Sequence, residues 1–303
     1  MNRRLITNFA VLGFAVLLTG ATLRADDDES VKPDGKGGTA FHQNHSIVQI
    51  DAGPFARSGT GIQYHGGPVM LGTVNVYFIY YGNWTGSTLT TAQSLLSTYA
   101  SSIGGTPYHN IETTYFNGSN QHVSNSVHFG GSFTVGSPFG SNISDSQLTQ
   151  IVQSVNPTDT NGVYFVLTSP EVNETSGFCT QYCGFHTRAT INGHDIKYSF
   201  VGDGARCPSA CSAQTTTPNG NLDADEMANV ITHEMEEAIS DPDLNAWFDR
   251  NGNENGDKCN FNFGATFTTS NGAQANQTFG GKNWLIQQNW INSGSGGCRQ
   301  HNP

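Results

Sequence analysis

Apolar and polar positions change period along this chain, and the changes mark out its elements. Val74-Asn75-Val76-Tyr77-Phe78-Ile79-Tyr80 is an almost unbroken apolar and aromatic run between Gly72 and Gly82, which predicts a buried strand. Residues 163–167 and 196–201 predict two more strands, and another is expected around residues 127–135. Between them the spacing turns helical. Leu89, Ala92, Leu95, Leu96, Tyr99 and Ile103 recur three or four residues apart, and Gly104-Gly105 ends the run. Leu148, Ile151, Val152 and Val155 mark a second helix that starts after Ser144 and stops before Pro157. A third helix is predicted over residues 223–240, with Val230, Ile231, Met235, Ala238 and Ile239 turned to the core. The remainder is rich in Gly and Asn, with Trp247, Trp284 and Trp290 as packing anchors. Strand–helix alternation followed by an irregular C-terminal stretch implies an α/β (α+β) fold, a mixed sheet with helices packed against it. Residues 61–303 read as one domain, and residues 26–60 as an acidic, Gly-rich lead-in.

The third helix carries the candidate chemistry. Its run Thr232-His233-Glu234-Met235-Glu236-Glu237 sets His233 and Glu237 four residues apart. On a helix such residues stack on one face, roughly 6 Å apart along the axis, so both can grip one metal ion. Glu234 then stands beside the metal, where it can take a proton from water. This is the logic of the His-Glu-x-x-His zinc helix with a carboxylate replacing the second histidine. The competing reading is an acidic solvated helix face with one histidine.

Pro242 stops the helix near Asp241. The chain can then turn back across the helix face and bring up Asp249-Arg250-Asn251-Gly252-Asn253-Glu254-Asn255-Gly256-Asp257-Lys258-Cys259. Glu254 and Asp257 are the leading candidates for a third ligand. Asp241 ranks below them, because a continuing helix would put it roughly 12 Å from His233. Asp249, Asn251 and Asn253 begin like a calcium loop, but Glu254 stands where an EF-hand needs Gly and Asn260 where it needs Glu. An irregular calcium site stays open, so the expected cofactor is Zn2+, with Ca2+ as the alternative. His186 is either a structural histidine bonded to backbone or a site residue, acting as transition-state donor or ligand.

Charge and cysteines bound the setting. Arg3 and Arg4 precede a mostly apolar stretch and small residues, which predicts a secretory signal over residues 1–25. Removing Arg3, Arg4 and Arg24 takes the formal charge from −11 to −14, which opposes binding to nucleic acid or anionic membranes. All six cysteines follow the signal, and an even number in an exported chain argues for disulfides. Proximity suggests Cys179–Cys183, Cys207–Cys211 and Cys259–Cys298. A zinc knuckle built from the two Cys-x-x-x-Cys pairs is the rival. No Gly-x-Ser-x-Gly elbow and no phosphate loop occurs.

Several blocks in order resemble one family. Tyr64-His65-Gly66-Gly67-Pro68-Val69 leads into Asn75-Val76-Tyr77-Phe78-Ile79-Tyr80-Tyr81-Gly82-Asn83-Trp84. Ser176-Gly177-Phe178-Cys179 runs to Cys183-Gly184-Phe185-His186. Val201-Gly202 precedes Cys207-Pro208-Ser209-Ala210-Cys211, and Pro218-Asn219-Gly220 follows. Across roughly residues 60–300 these resemble the Exordium, or phosphate-induced protein 1, family. The resemblance implies export and an extracellular, wall-associated setting. Plant members lack the His-Glu-x-x-Glu helix, so this chain looks like a microbial branch that keeps a metal site, with a zincin-like arrangement of sheet, motif helix and disulfide-tied lobe. The expected function is a secreted or periplasmic zinc-dependent hydrolase, acting on peptide or cell-wall substrate. The alternative is a non-catalytic wall- or partner-binding protein with a structural metal.

Overall fold

The computed structural model describes residues 61–303 and the isolated Pro33. The signal expected over residues 1–25 and the lead-in over 26–60 lie, Pro33 apart, outside the described residues. Five strands build a mixed sheet: β1 Val74–Tyr81, β2 Val127–Gly136, β3 Gly162–Thr168, β4 Gly184–Ile191 and β5 His194–Val201. Their spatial order is β2-β1-β3-β5-β4. The first four in that order are parallel, and β4 runs antiparallel to β5 at the edge. Every residue of β3 is buried, as expected of an interior parallel strand covered on both faces. β2, at the other edge, alternates between half-buried and exposed positions.

Three helices complete the frame: α1 Ser87–Ala100, α2 Asp145–Ser154 and α3 Leu222–Ser240. α1 and α2 are the crossovers that parallel neighbours require. Their buried positions, Leu95, Leu96 and Tyr99 in α1 and Leu148, Ile151 and Val152 in α2, are those picked out by the helical period. Ser144 opens α2 with a capping box, its backbone N–H donating to Gln147 Oε1 at 2.9 Å. The α+β class and the expected helices are therefore present.

Strand β4 is the element the apolar periodicity does not predict. It is joined to β5 by Asn192-Gly193, with φ of 52° and 84°, the backbone of a two-residue type I′ hairpin turn. β4 matters because α3 packs along it.

α3 is buried at every residue from Asp223 to Ser240. Asn221 caps it, Oδ1 accepting the Ala224 N–H at 2.9 Å, and Asp223 and Asp225 in the first turn complement the helix dipole. At the far end Asp241 Oδ1 accepts N–H groups from Asn245 at 2.6 Å and Ala246 at 2.7 Å. That turn sends Trp247–Phe248 back to pair with Gln63–Tyr64. The remaining chain folds into short two-stranded pieces around the short helical turn Asp257–Cys259. Trp247, Trp284 and Trp290 are all buried.

The disulfides correct two of the three expected pairings. Cys259–Cys298 forms as expected, but the other bridges are Cys179–Cys207 and Cys183–Cys211. Cys207 and Cys211 span the short helix Pro208–Cys211, where residues four apart sit roughly 6 Å apart with near-parallel Cβ vectors, whereas a bridge needs Cβ atoms about 3.8 Å apart. The facing segment supplies partners at Cα separations of 5.8 and 5.6 Å. The zinc knuckle is excluded with them, since no cysteine among the described residues is free.

The cross-pairing is directly testable. Trypsin cleaves after Arg188, Lys197 and Arg206, so without reductant the fragment ending at Arg188 should remain joined to the one beginning at Cys207. Mass spectrometry showing separate fragments before reduction would establish local pairing instead. A second expectation concerns Glu226, which burial pushes up to about 8 from 4.5. A carboxyl with a raised folded pKa lowers stability progressively as pH rises from 4.5 to about 8. Glu226→Gln removes that penalty, so its melting temperature should gain on the parent's across this interval. A constant difference between the two would refute the shift.

Candidate metal centre

One face of α3 and the segment after it converge. His233 Nε2 lies 3.0 Å from Glu237 Oε1 and 3.5 Å from Asp257 Oδ1. Beside this triad, His186 Nε2, from β4, lies 3.1 Å from Glu254 Oε2 and 3.8 Å from Glu237 Oε2. Both groups, His233/Glu237/Asp257 and His186/Glu237/Glu254, bring one donor atom per residue within 4.8 Å of one another. Glu237 belongs to both. Asp241 lies outside both groups, its Oδ1 held by the turn after the helix.

The close approach depends on two glycines. A Cβ at Gly256 would meet Glu237 Oε1 at 2.9 Å and His233 Cγ at 3.0 Å. A Cβ at Gly184, at the start of β4, would meet Val230 Cγ1 at 2.6 Å and Glu234 Oε1 at 3.0 Å. Bare backbone therefore lets both the loop and the edge strand close on the helix.

The ligand loop is itself held. The Asp257 N–H donates to Glu237 Oε1 at 2.9 Å, and the Glu254 N–H to Asp257 Oδ2 at 3.1 Å. Asn255 Nδ2 donates to Glu112 Oε1 at 2.9 Å and to the Glu236 carbonyl at 3.2 Å. Gln287 Nε2 donates to the Gly256 carbonyl at 3.0 Å. Behind the loop, His109 Nδ1 lies 3.0 Å from Glu236, and Asn289 joins Asn255 on Glu112. The sequence motif does not point to this supporting set. The one cue is Glu236 inside the motif run; Glu112 and His109 sit more than a hundred residues upstream with no pattern of their own.

The site is short of partners. His233 Nε2, Glu234 Oε2, Glu237 Oε2, Glu254 Oε1 and Asp257 Oδ1 are buried atoms without a hydrogen bond. Nor does any lysine or arginine among the described residues pair with these carboxylates; Lys258 Nζ is 2.9 Å from Asp249 Oδ2 instead. Buried carboxylates need hydrogen bonds, counter-charges, protons or a metal. The titration of the site reflects this. Burial raises Glu237 to about 7, and the Asp257 charge adds to it. Burial, then Glu237 and Asp241, holds Glu254 well above its ordinary value. Glu234 is likewise raised, first by burial and then by Glu237 and Asp257, with His233 opposing. Burial alone would lower His233, but Glu237 and Asp257 outweigh it and hold its pKa well above normal. His186 is pushed down to about 3 by burial, so its ring is neutral and retains a lone pair.

A small cleft reaches the centre past Gly184, Val230, His233, Glu234, Phe261 and Gln287. Cys183 is part of its wall, so the Cys183–Cys211 bridge fixes the strand end that borders it. The geometry can hold divalent cation and offers Glu234 to whatever enters the cleft. The calcium-like start of the loop has another use: Asp249 Oδ1 accepts the N–H groups of Asn251 and Asn253, at 2.9 and 3.0 Å.

These features define an α+β protein with a buried histidine–carboxylate centre under the edge strand of a mixed sheet. The chain belongs to the phosphate-induced protein 1 family, whose conserved region matches residues 62–282. It is 28% identical to EXORDIUM-like 5 of Arabidopsis thaliana over 216 residues, covering 62% of this chain and 59% of that protein. It is 26% identical to EXORDIUM-like 3 of the same plant over 221 residues, covering 62% of this chain and 64% of the relative. The chain thus aligns with about three fifths of the length of these relatives. No solved structure matches it. Among the described residues no helix is long and apolar enough to cross a membrane.

Gly256→Ala tests the loop cradle. If the centre binds zinc, its methyl group should cost roughly 10–100-fold in zinc affinity, the range found when residues supporting metal ligands are changed. The far-UV circular dichroism should stay that of the parent. Parent-like zinc binding in a folded variant would show that the loop does not form the site.

Proposed function

We propose that this protein is an exported zinc-dependent hydrolase of the peptidase type. The observation that carries the proposal is the set of unpartnered buried atoms on His233, Glu237 and Asp257, with Glu234 next to them on the cleft. One imidazole and two carboxylates are a donor set that zinc accepts, and three protein ligands leave a position open for chemistry. Calcium prefers six to eight oxygens, and His233 would be a poor member of such a shell. The disulfides and the Exordium-like relatives are compatible with an extracellular protein. The order of sheet, motif helix and C-terminal lobe supports the zincin analogy, as analogy.

Bound there, zinc supplies Lewis-acid polarisation of a substrate carbonyl and acidifies water. The chain's own residues do the rest. Glu234 Oε2 accepts the proton of the attacking water and passes it to the leaving nitrogen as the C–N bond breaks. Burial first, and then the Glu237 and Asp257 charges, raise its pKa; with a cation beside it those charges would be offset and the carboxylate favoured as base. The Asp257 N–H on Glu237 Oε1 fixes the orientation of the helix carboxylate. Two carboxylates instead of a second histidine leave more negative charge at the metal, so turnover should be modest.

A second reading has its own observation. His233 is 5% and Glu234 2% exposed, a degree of enclosure that also suits a structural metal in a wall- or partner-binding protein. Glu234→Gln separates the two. In a hydrolase it should lower peptide cleavage at least about 100-fold while elemental analysis finds zinc unchanged. Undiminished cleavage would remove Glu234 from the chemistry. Bound zinc in a parent that cleaves no member of a peptide library would favour the structural metal.

A further inference from the structure

We infer that the centre takes two divalent cations, with Glu237 bridging them. The second site is His186, Glu254 and the Oε2 side of Glu237. This deepens the reading above and rests on it, since the first site is the one on His233, Glu237 and Asp257.

Three observations lead here. Glu237 points its two oxygens at different histidines: Oε1 is 3.0 Å from His233 Nε2 and Oε2 is 3.8 Å from His186 Nε2. A carboxylate shared in this way is the usual bridge of a two-metal site, whose ions sit roughly 3.5–4 Å apart. The second group adds an unpartnered buried atom, Glu254 Oε1, and faces the unpartnered Glu237 Oε2, on side chains that are 1% and 0% exposed. Finally, the count of carboxylates suits two cations. Glu234, Glu237, Glu254 and Asp257 carry four negative charges when ionised, and no lysine or arginine among the described residues pairs with them. One divalent ion leaves two charges buried and uncompensated; two ions neutralise the group.

The ligands of the second site come from separate parts of the chain. His186 is on the edge strand β4, Glu237 on α3 and Glu254 in the loop after it. A cation there would tie the edge strand to the C-terminal lobe across the helix. Imidazole with carboxylates suits zinc and its first-row neighbours.

The test is stoichiometry on the full mature chain, stripped with chelator, saturated with zinc, dialysed and measured by elemental mass spectrometry. The expected result is two zinc ions per chain. His186→Ala with Glu254→Gln should retain one, and His233→Ala with Asp257→Asn should also retain one. A readout that needs no variant comes from cobalt. At two equivalents, ions coupled through Glu237 should give a weaker electron paramagnetic resonance signal per cobalt than at one. One zinc in the parent, kept by the His186/Glu254 variant and lost with His233, overturns the second site and leaves the hydrolase reading standing. One zinc lost with His186 instead overturns both, as does a parent that binds none. Two cobalt ions without coupling overturn the bridge.

Discussion

Burying a helix that carries its own carboxylates is the constraint on which this structure depends. α3 lies between α1, the edge strand β4 and the C-terminal segment, and every residue from Asp223 to Ser240 is buried. An ordinary interior helix would be apolar all round. This one places His233, Glu234, Glu236 and Glu237 in the core, where an unpaired charge costs several kcal/mol even after relaxation. The surrounding structure answers some of them. Glu236 receives His109, and the nearby Glu112 receives two asparagine amides. Glu237 receives a backbone N–H from Asp257. What stays unanswered is concentrated on one side, where the histidines meet the ligand loop.

That asymmetry separates the two sides of the helix. On the His109–Glu112–Glu236 side, hydrogen bonds from side chains and loop amides hold the segment 254–257 against the helix. On the other side the same segment offers Glu254 and Asp257 to histidines from two different elements. Disulfides lock both borders. Cys183–Cys211 holds the start of β4 where it meets the cleft, and Cys259–Cys298 anchors the chain just beyond Asp257. A centre assembled from a strand, a helix and a loop needs such restraint, because a ligand displaced by about 1 Å no longer meets its partners.

Much of the frame was legible in the chain. The apolar run through residues 74–80 became the interior strand β1, and the helical spacing of Leu89 to Ile103 became α1. The pairing of β4 with β5 had a local signal as well, Asn192-Gly193, yet the mixed pattern of Gly184–Ile191 hides it: that strand is buried at its start and alternates further on. Periodicity reports how a segment meets solvent, and an edge strand half covered by a helix presents no single period. The disulfide pairing is hidden from local sequence for a related reason. Sequence distance favours Cys179 with Cys183, but side-by-side packing of the two Cys-x-x-x-Cys segments provides better geometry across them.

The sequence by itself determined the α+β class, the family, and the i, i+4 pairing of His233 with Glu237, because helix geometry makes that pairing a local consequence of spacing. Only the tertiary structure placed Asp257 and Glu254. It gave each to a different histidine, grouping Asp257 with His233 and Glu254 with His186, and it left Asp241 to cap the turn. It also recruited His186 from an edge strand some fifty residues upstream. Those choices follow from where a loop crosses a helix and how near a glycine lets it come, and the order of residues along a chain carries neither distance.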